Sequence, residues 1–226
     1  MEERDEHARW PGKTDREQPD EITGREIFTP LAIKGVFVDP LAVNSFLELI
    51  DFMRRKVAPR WRQIAFERMI AREKCDRQGD VFYMNGARYN ETESQTAQKL
   101  AKAGYWVIFP GKGQIKAIKD LEKATDNREN DIYLFHKKSY KQYKVDIKSS
   151  GEPSIKSIGH HIASGSGQAP VIALDITGNI SKKKLITAIR TGWTNGTKTI
   201  LLNYKGKWYE LDKKKVFGDW IEIHIQ

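Results

Sequence analysis

The chain has 226 residues, 39% of them hydrophobic and 31% charged, with one cysteine and a formal net charge of +9. The hydrophobic share excludes a wholly disordered chain, and the length suits one large domain or two small ones. Cys75 alone excludes an intrachain disulfide or a cysteine zinc cage, and no apolar run approaches the roughly 20 residues that span a bilayer, so no membrane partner is expected. The charged opening MEERDEHARW lacks the apolar stretch of a secretory signal. Residues 1–25 are polar, with Pro11 and Pro19, and read as a mobile tail. FTPLAIKGVFVDP reads as an extended segment punctuated by prolines. From Leu41, the apolar spacing of Val43, Phe46, Leu47, Ile50, Met53 and Val57 predicts a helix that Pro59 breaks, and a second helix follows around Trp61, Ile64, Ala65 and Met69.

GDVFYMNG reads as a short strand or turn. Asn90 is a natural N-cap for a helix through NETESQTAQKLAKAG, closed by Gly104. YWVIFPG predicts a buried strand, and the polar insert that follows, one or two helical turns. DIYLFHKKSYKQYKVDIKSS alternates as a β-hairpin, SIKSIGHHIASGSGQ as a short helix or loop, and APVIALDI as a central strand covered on both faces. KKKLITAIRTGW predicts a helix, TKTILLNYKGKWYEL a hairpin and WIEIHI a last strand. The order implies an α/β fold with a mixed sheet.

Charge divides the chain. Residues 1–90 hold 16 Lys+Arg against 16 Asp+Glu, while residues 91–226 hold 23 against 14, the whole excess. The first part has 12 Arg and 4 Lys, the second 2 Arg and 21 Lys. That switch predicts two modules: a helical N-terminal segment over 26–87 and a basic α/β domain over 88–226 that meets any polyanion.

Three acidic residues and a lysine carry the candidate chemistry. Glu93 shares a helix stripe with Ala97, Leu100, Ala101 and Gly104, and a carboxylate facing a core needs a charged partner. Asp146 and Lys148 stand two apart on a strand and share a face, and Asp131 opens the preceding strand of the same hairpin. Taken singly, each has an ordinary reading as helix-end acid, surface ion pair or turn residue. Together they describe carboxylates sharing a divalent metal (magnesium first, manganese or zinc as alternatives) with a lysine beside a reacting phosphate. The adjacent His160 and His161 diverge on a helix and read as solvent-facing or substrate-contacting, and SGSGQ lacks the ending of a phosphate-binding loop. Lysine runs 182–184 and 213–215 read as solvated faces suited to phosphate contact.

Glu93, Asp131 and Asp146-Ile-Lys148 on helix, strand and strand resemble the PD-(D/E)XK nuclease core, without the proline before the first Asp. More narrowly, NETESQTAQKLAKAGY, DIYL, YKVDIKSS and GQAPVIALDI resemble the C-terminal tRNase domain of contact-dependent growth-inhibition toxins over roughly residues 88–210. The resemblance implies a restriction-endonuclease-like sheet and metal-dependent tRNA cleavage. It makes Glu93, Asp131 and Asp146 acidic site residues and metal ligands, Lys148 the basic residue, and Gln168 a weaker carry-over. Lys137, Lys138, Lys182, Lys183 and Lys184 would bind substrate. The long stretch from Gly111 to Asn130 departs from the family pattern and leaves the choice between Asp131 and Asp126 open. The implied setting is the bacterial cytoplasm, entered as part of a larger delivery system, with an acidic immunity protein as second partner. A DNA-cleaving enzyme of a defence system or mobile element, and a phage or element structural protein with a nuclease-like tail, are the rival readings.

Overall fold

The computed structural model describes residues 31–33, 36–38, 40–55, 57–122 and 129–225, so the tail expected over 1–25 lies outside the described residues. The chain divides into two units after Asp39. In the first, β1 (Leu31–Ile33) and β2 (Val36–Val38) pair antiparallel, in keeping with the extended reading of that segment.

The second unit, Pro40–Gln226, is built on an eight-stranded sheet whose spatial order follows the chain. Its strands are β3 (Cys75–Gln78), β4 (Val81–Met84), β5 (Tyr105–Phe109), β6 (Ile132–His136), β7 (Gln142–Ser150), β8 (Val171–Ile176), β9 (Thr199–Tyr204) and β10 (Lys207–Asp212). The pairs β4/β5, β7/β8 and β8/β9 are parallel, and each is spanned by a helix: α3 (Glu91–Lys102), α5 (Ile155–Ser166) and α6 (Lys182–Gly192). The other four pairs are antiparallel. Every residue of β8 is buried, as its unbroken apolar run predicts for a strand covered on both sides.

Alternation along the strands sends neighbouring side chains to opposite faces. On one face Val107, Leu134 and Val145 pack under Ala97, Leu100 and Ala101 of α3. On the other, Ile172, Leu174 and Ile200 meet Ile158 and Ile162 of α5 and Leu185 and Ile189 of α6. That second face also receives α1 (Phe46–Arg54) and α2 (Pro59–Arg72). Phe46 meets Tyr133 edge-on, and Phe66 stacks on Trp106 with ring centroids 3.9 Å apart.

That packing corrects the expected division at residue 87. β3 and β4 are strands of the same sheet, and Phe66 of α2 also touches Phe82 and Phe135 edge-on, so the helical segment and the basic half share one core. The switch from arginine to lysine is a property of the solvated surface and does not mark where a core ends. The helix expected from Leu41 begins instead at Phe46, where Ser45 and Glu48 form a capping box, and Pro59 opens α2 as its first residue. α4 (Lys112–Glu122) is longer than the one or two turns expected. WIEIHI is helical, not a strand: α8 (Trp220–His224) follows the short α7 (Lys213–Phe217), with Ile221 and Ile225 both buried. A spacing of four suits a helix, and it wins over the apparent alternation. Among the described residues no helix is long and apolar enough to cross a membrane.

Candidate active site

The β6–β7 hairpin brings the site together. Its register pairs Ile132 with Val145, so Asp131 and Asp146 fall at the next level, where β6 has ended and β7 runs on toward Ser150. Asp131 Oδ2 accepts the Ile147 backbone N–H at 2.7 Å, taking a bond on the side that β6 leaves open. The Asp131 and Asp146 carboxyls are close enough for each to bear on the other's titration. Two carboxylates have only acceptors to offer each other, so that closeness is favourable when a proton or a cation stands between them. Burial first, then the charge of Asp146, pushes Asp131 up to about 6, against the opposing Ile147 hydrogen bond and Lys148 charge.

Asp146 is fully buried and its carboxyl is also pushed up, chiefly by burial, although the Lys148 ammonium opposes the shift. Lys148 Nζ donates to Asp146 Oδ1 at 2.9 Å and lies 2.7 Å from Oδ2, which accepts no aligned hydrogen bond among the described residues. The Lys148 side chain is 19% exposed, enough to keep its head at the mouth of the cluster. The helix α5 closes the other side. A Cβ on Gly165 would stand 2.6 Å from Asp146 Oδ2, so only a glycine lets the helix lie this close.

Glu93 arrives from α3. It is half-buried, and the charges of Asp131 and Lys148 reach it. Burial pushes its carboxyl up, opposed by hydrogen bonds from Asn90. Its oxygens are turned back on the helix start: Oε2 accepts from Asn90 N at 3.0 Å and Oε1 from Asn90 Nδ2 at 2.8 Å. The structure therefore brings Asp131, Asp146 and Lys148 together and leaves Glu93 beside them in its capping box. Among the described residues no three His, Cys, Asp or Glu side chains are arranged to hold a metal ion. The donor chemistry nevertheless fits a hard divalent cation: two neighbouring buried carboxyls short of positive charge, with a third near enough to feel Asp131 and Lys148. Asp131 and Asp146 would hold such an ion, with Glu93 joining on release from Asn90.

The sequence reading left His161 open between a solvent-facing and a substrate-contacting role and did not connect it to Lys148. α5 returns antiparallel to β7, so one helical turn back from Gly165, about 6 Å, matches two strand residues onward from Asp146, about 6.6 Å. His161 therefore rides above Lys148. It is half-buried, and burial, then the charges of Lys148 and His160, hold its imidazole below the usual histidine range. The available signal was its four-residue spacing from Gly165, on the stripe that faces the sheet.

The remaining candidates lie elsewhere. Asp126 is outside the described residues, while Asp131 accepts the Ile147 N–H next to Asp146. Lys137 sits past the far end of β6 from Asp131, bridged to Asp80 at 2.6 Å, and Lys138 beside it is exposed. Gln168 is exposed in the turn after α5. Lys182 donates to the Glu222 carbonyl, and Lys183 and Lys184 are exposed at the start of α6. None of these reaches the carboxylate cluster in the contacts described.

No protein-family model, curated protein or solved structure matches the chain. The functional reading therefore stands on the residues and their geometry.

Proposed function

We propose that the chain is a metal-dependent endonuclease that cleaves tRNA, a toxin-like effector module with a restriction-endonuclease-like core. The observation that carries this reading is the placing of Asp131 on the Ile147 N–H next to the buried Asp146–Lys148 pair, at the open end of the β6–β7 hairpin. Buried like charges held together cost stability, and an active site is where such a cost is repaid. Bound there, a divalent ion would polarise the phosphodiester and activate water. The protein's own part is electrostatic. Lys148 places its ammonium where charge builds on the phosphoryl oxygens, and Asp146 holds that ammonium in position. Asp131 is fixed by the Ile147 N–H, which leaves its other oxygen for the ion. Gly165 admits α5 close enough to keep bulk water from the buried side of Asp146.

The all-oxygen donor set suits magnesium or manganese better than zinc. The +9 chain suits a polyanionic substrate and an acidic immunity protein in a producing cell. Action in the bacterial cytoplasm, after delivery by a larger system, belongs to the same proposal. The test incubates tRNA and duplex DNA with the chain and magnesium, with and without EDTA, alongside Asp146→Asn. Cleavage of tRNA alone, stopped by EDTA and by the substitution, is the expected result. Cleavage of DNA instead transfers the reading to a DNA enzyme. No cleavage of either polymer with magnesium, nor when manganese or zinc replaces it, overturns it.

A further inference from the structure

A second polar assembly lies on the opposite face of the sheet, under the C-terminal half of α3. Asp175, Asn203 and Trp208 stand side by side on β8, β9 and β10, because the register pairs Asp175 with Asn203 and Asn203 with Trp208. They form the floor and wall of a cleft of about 580 Å³, within the range of small-ligand pockets. Three lysines surround it. Lys99 is tied to the buried Asp175 at 2.6 Å while 41% of its side chain stays exposed. Lys102 is exposed one turn further along α3. Lys205 is carried to the lip by a two-residue hairpin turn in which both Lys205 (φ 52°) and Gly206 (φ 76°) are left-handed.

We propose that this cleft binds one nucleotide of a single-stranded nucleic acid, its phosphate on Lys99, Lys102 and Lys205 and its base against Trp208. Three lysines line the cleft beside one carboxylate, Asp175 is already engaged by Lys99, Thr96 and Asn203, and the Lys205 ammonium lies by the Tyr204 ring with no carboxylate partner among the contacts described, so the remaining charge calls for an anion from outside. Trp208 is only partly buried against the core, which leaves ring surface for a flat apolar group. Asn203 spends its amide N–H on Asp175, and its buried Oδ1 has no donor among the described residues, a gap that a base N–H entering the cleft fills. A nucleotide supplies all three together: a phosphate for the lysines, a flat ring for Trp208 and a base N–H for Asn203 Oδ1. The inference rests on the nuclease reading only for the identity of the polymer.

The test measures binding of a fluorescein-labelled eight-residue oligouridylate to the full chain carrying Asp146→Asn, which separates binding from cleavage. Removing Lys99 would leave Asp175 buried and unpaired, so the variant is Lys102→Gln with Lys205→Gln, both exposed. Its affinity should fall about tenfold at 0.1 M salt, and the slope of log K against log salt should fall by about 1.4, near 0.7 for each lost phosphate contact. Trp208→Leu should weaken the oligonucleotide by about 5- to 50-fold and leave binding of inorganic polyphosphate unchanged. If Trp208→Leu fails to fold, the lysine variant decides. Unchanged affinity and slope in the lysine variant overturn the proposal, even where tRNA is cleaved normally. An equal loss toward polyglutamate, with no effect of Trp208, makes the cleft a site for an acidic polypeptide and also overturns it. A chain that cleaves nothing but loses RNA affinity in these variants keeps the cleft and sinks the nuclease reading.

Discussion

Asp146 on β7 and Asp175 on β8 are both buried, on neighbouring strands and opposite faces, and their surroundings differ. Asp175 accepts from Lys99 Nζ at 2.6 Å, Asn203 Nδ2 at 2.8 Å and Thr96 Oγ1 at 3.2 Å. Asp146 has one lysine, an oxygen without an aligned donor, and a second carboxyl near enough to shift with it. In the first, the carboxylate is itself fully engaged and its charge is answered where it lies, the open acceptor being the neutral Asn203 Oδ1. The second is a cluster that the fold leaves short of positive charge, and the shortage is what a metal ion and a lysine-bound phosphate chemistry would use. Burial of an aspartate is thus no sign of function by itself. The unanswered part of its charge is.

The largest effect should come from removing that unanswered charge. Asp146→Asn is expected to lower cleavage by at least about 10²–10³-fold, the scale of losing one transition-state electrostatic element. It should keep or raise stability in EDTA, because it removes one of the mutually repelling carboxylates. Asp175→Asn should instead destabilise by about 1–3 kcal/mol, since it weakens three donors' bonds at once. Urea unfolding of the two variants reads the contrast. Equal destabilisation would erase the distinction between the two aspartates.

Lys148→Met sharpens the same contrast from the cationic side. Breaking a buried pair and leaving its acid behind costs about 3–5 kcal/mol. Asp146 is fully buried while the Lys148 side chain is 19% exposed, so the lower part of that range applies at pH 8. At pH 5 the loss should shrink, because carboxyls already pushed upward take a proton in place of the ammonium. A loss independent of pH would mean that Lys148 acts through packing alone.

Much of this frame was legible in the chain. Asn90 and Glu93 form the capping box their spacing suggests, and the alternation of DIYLF and YKVDIKSS gives the hairpin that carries the site. Asp146 and Lys148 share a face because the strand period is two. What was not legible is contact at long range. Gly165 against Asp146, and with it His161 above Lys148, depends on how α5 returns across β7, and no local pattern states that. The Asp175 network joins residues 76 and 79 positions apart, for the same reason. The division at residue 87 failed because charge usage describes the surface, whereas Phe66 on Trp106 is a fact of the core.

The closeness of α5 gives a smaller effect. In Gly165→Ala the new Cβ would meet Asp146 Oδ2 at 2.6 Å and Ile172 Cγ1 at 3.2 Å, so α5 must shift. We expect about 1–3 kcal/mol of destabilisation and reduced cleavage. Gly113 in α4 has nothing within 4 Å of a built Cβ, and Gly113→Ala should stabilise by roughly 0.5–1 kcal/mol. Equal thermal midpoints for the two variants would mean that α5 does not press on Asp146.

Asp131 sets the pH dependence. Its folded value near 6 exceeds the ordinary 3.8, so between those values the folded state holds a proton that the unfolded state has released. In EDTA its contribution to stability is present below about pH 4 and is lost as pH rises through about 6. Magnesium must displace that proton, so its stabilising effect should run the other way, weak at pH 5 and growing to pH 7. Thermal midpoints of the chain and of Asp131→Asn, in EDTA and in magnesium, isolate the effect. A magnesium shift that is the same at pH 5 and pH 7 would place the ion away from Asp131.

The smallest expected effect belongs to His161. Its ring stands above Lys148 and not above the neighbouring carboxyls, so it acts on the lysine and on whatever Lys148 holds. Its imidazole is held below the usual range, mainly by burial and then by the charges of Lys148 and His160, so it is neutral at pH 7. Its contribution to stability is therefore full above the unfolded value of 6.5 and is lost as pH falls through the lower folded value, where a second cation forms beside Lys148. His161→Asn keeps a polar group of similar reach and removes that titration. It should raise KM for tRNA about three- to tenfold, the scale of one ordinary hydrogen bond, and change kcat less. It should also reduce the loss of stability between pH 7.5 and pH 5 relative to the parent. A variant with parental KM and a parental pH profile would put His161 outside the site and leave α5 with Gly165 as its one contribution there.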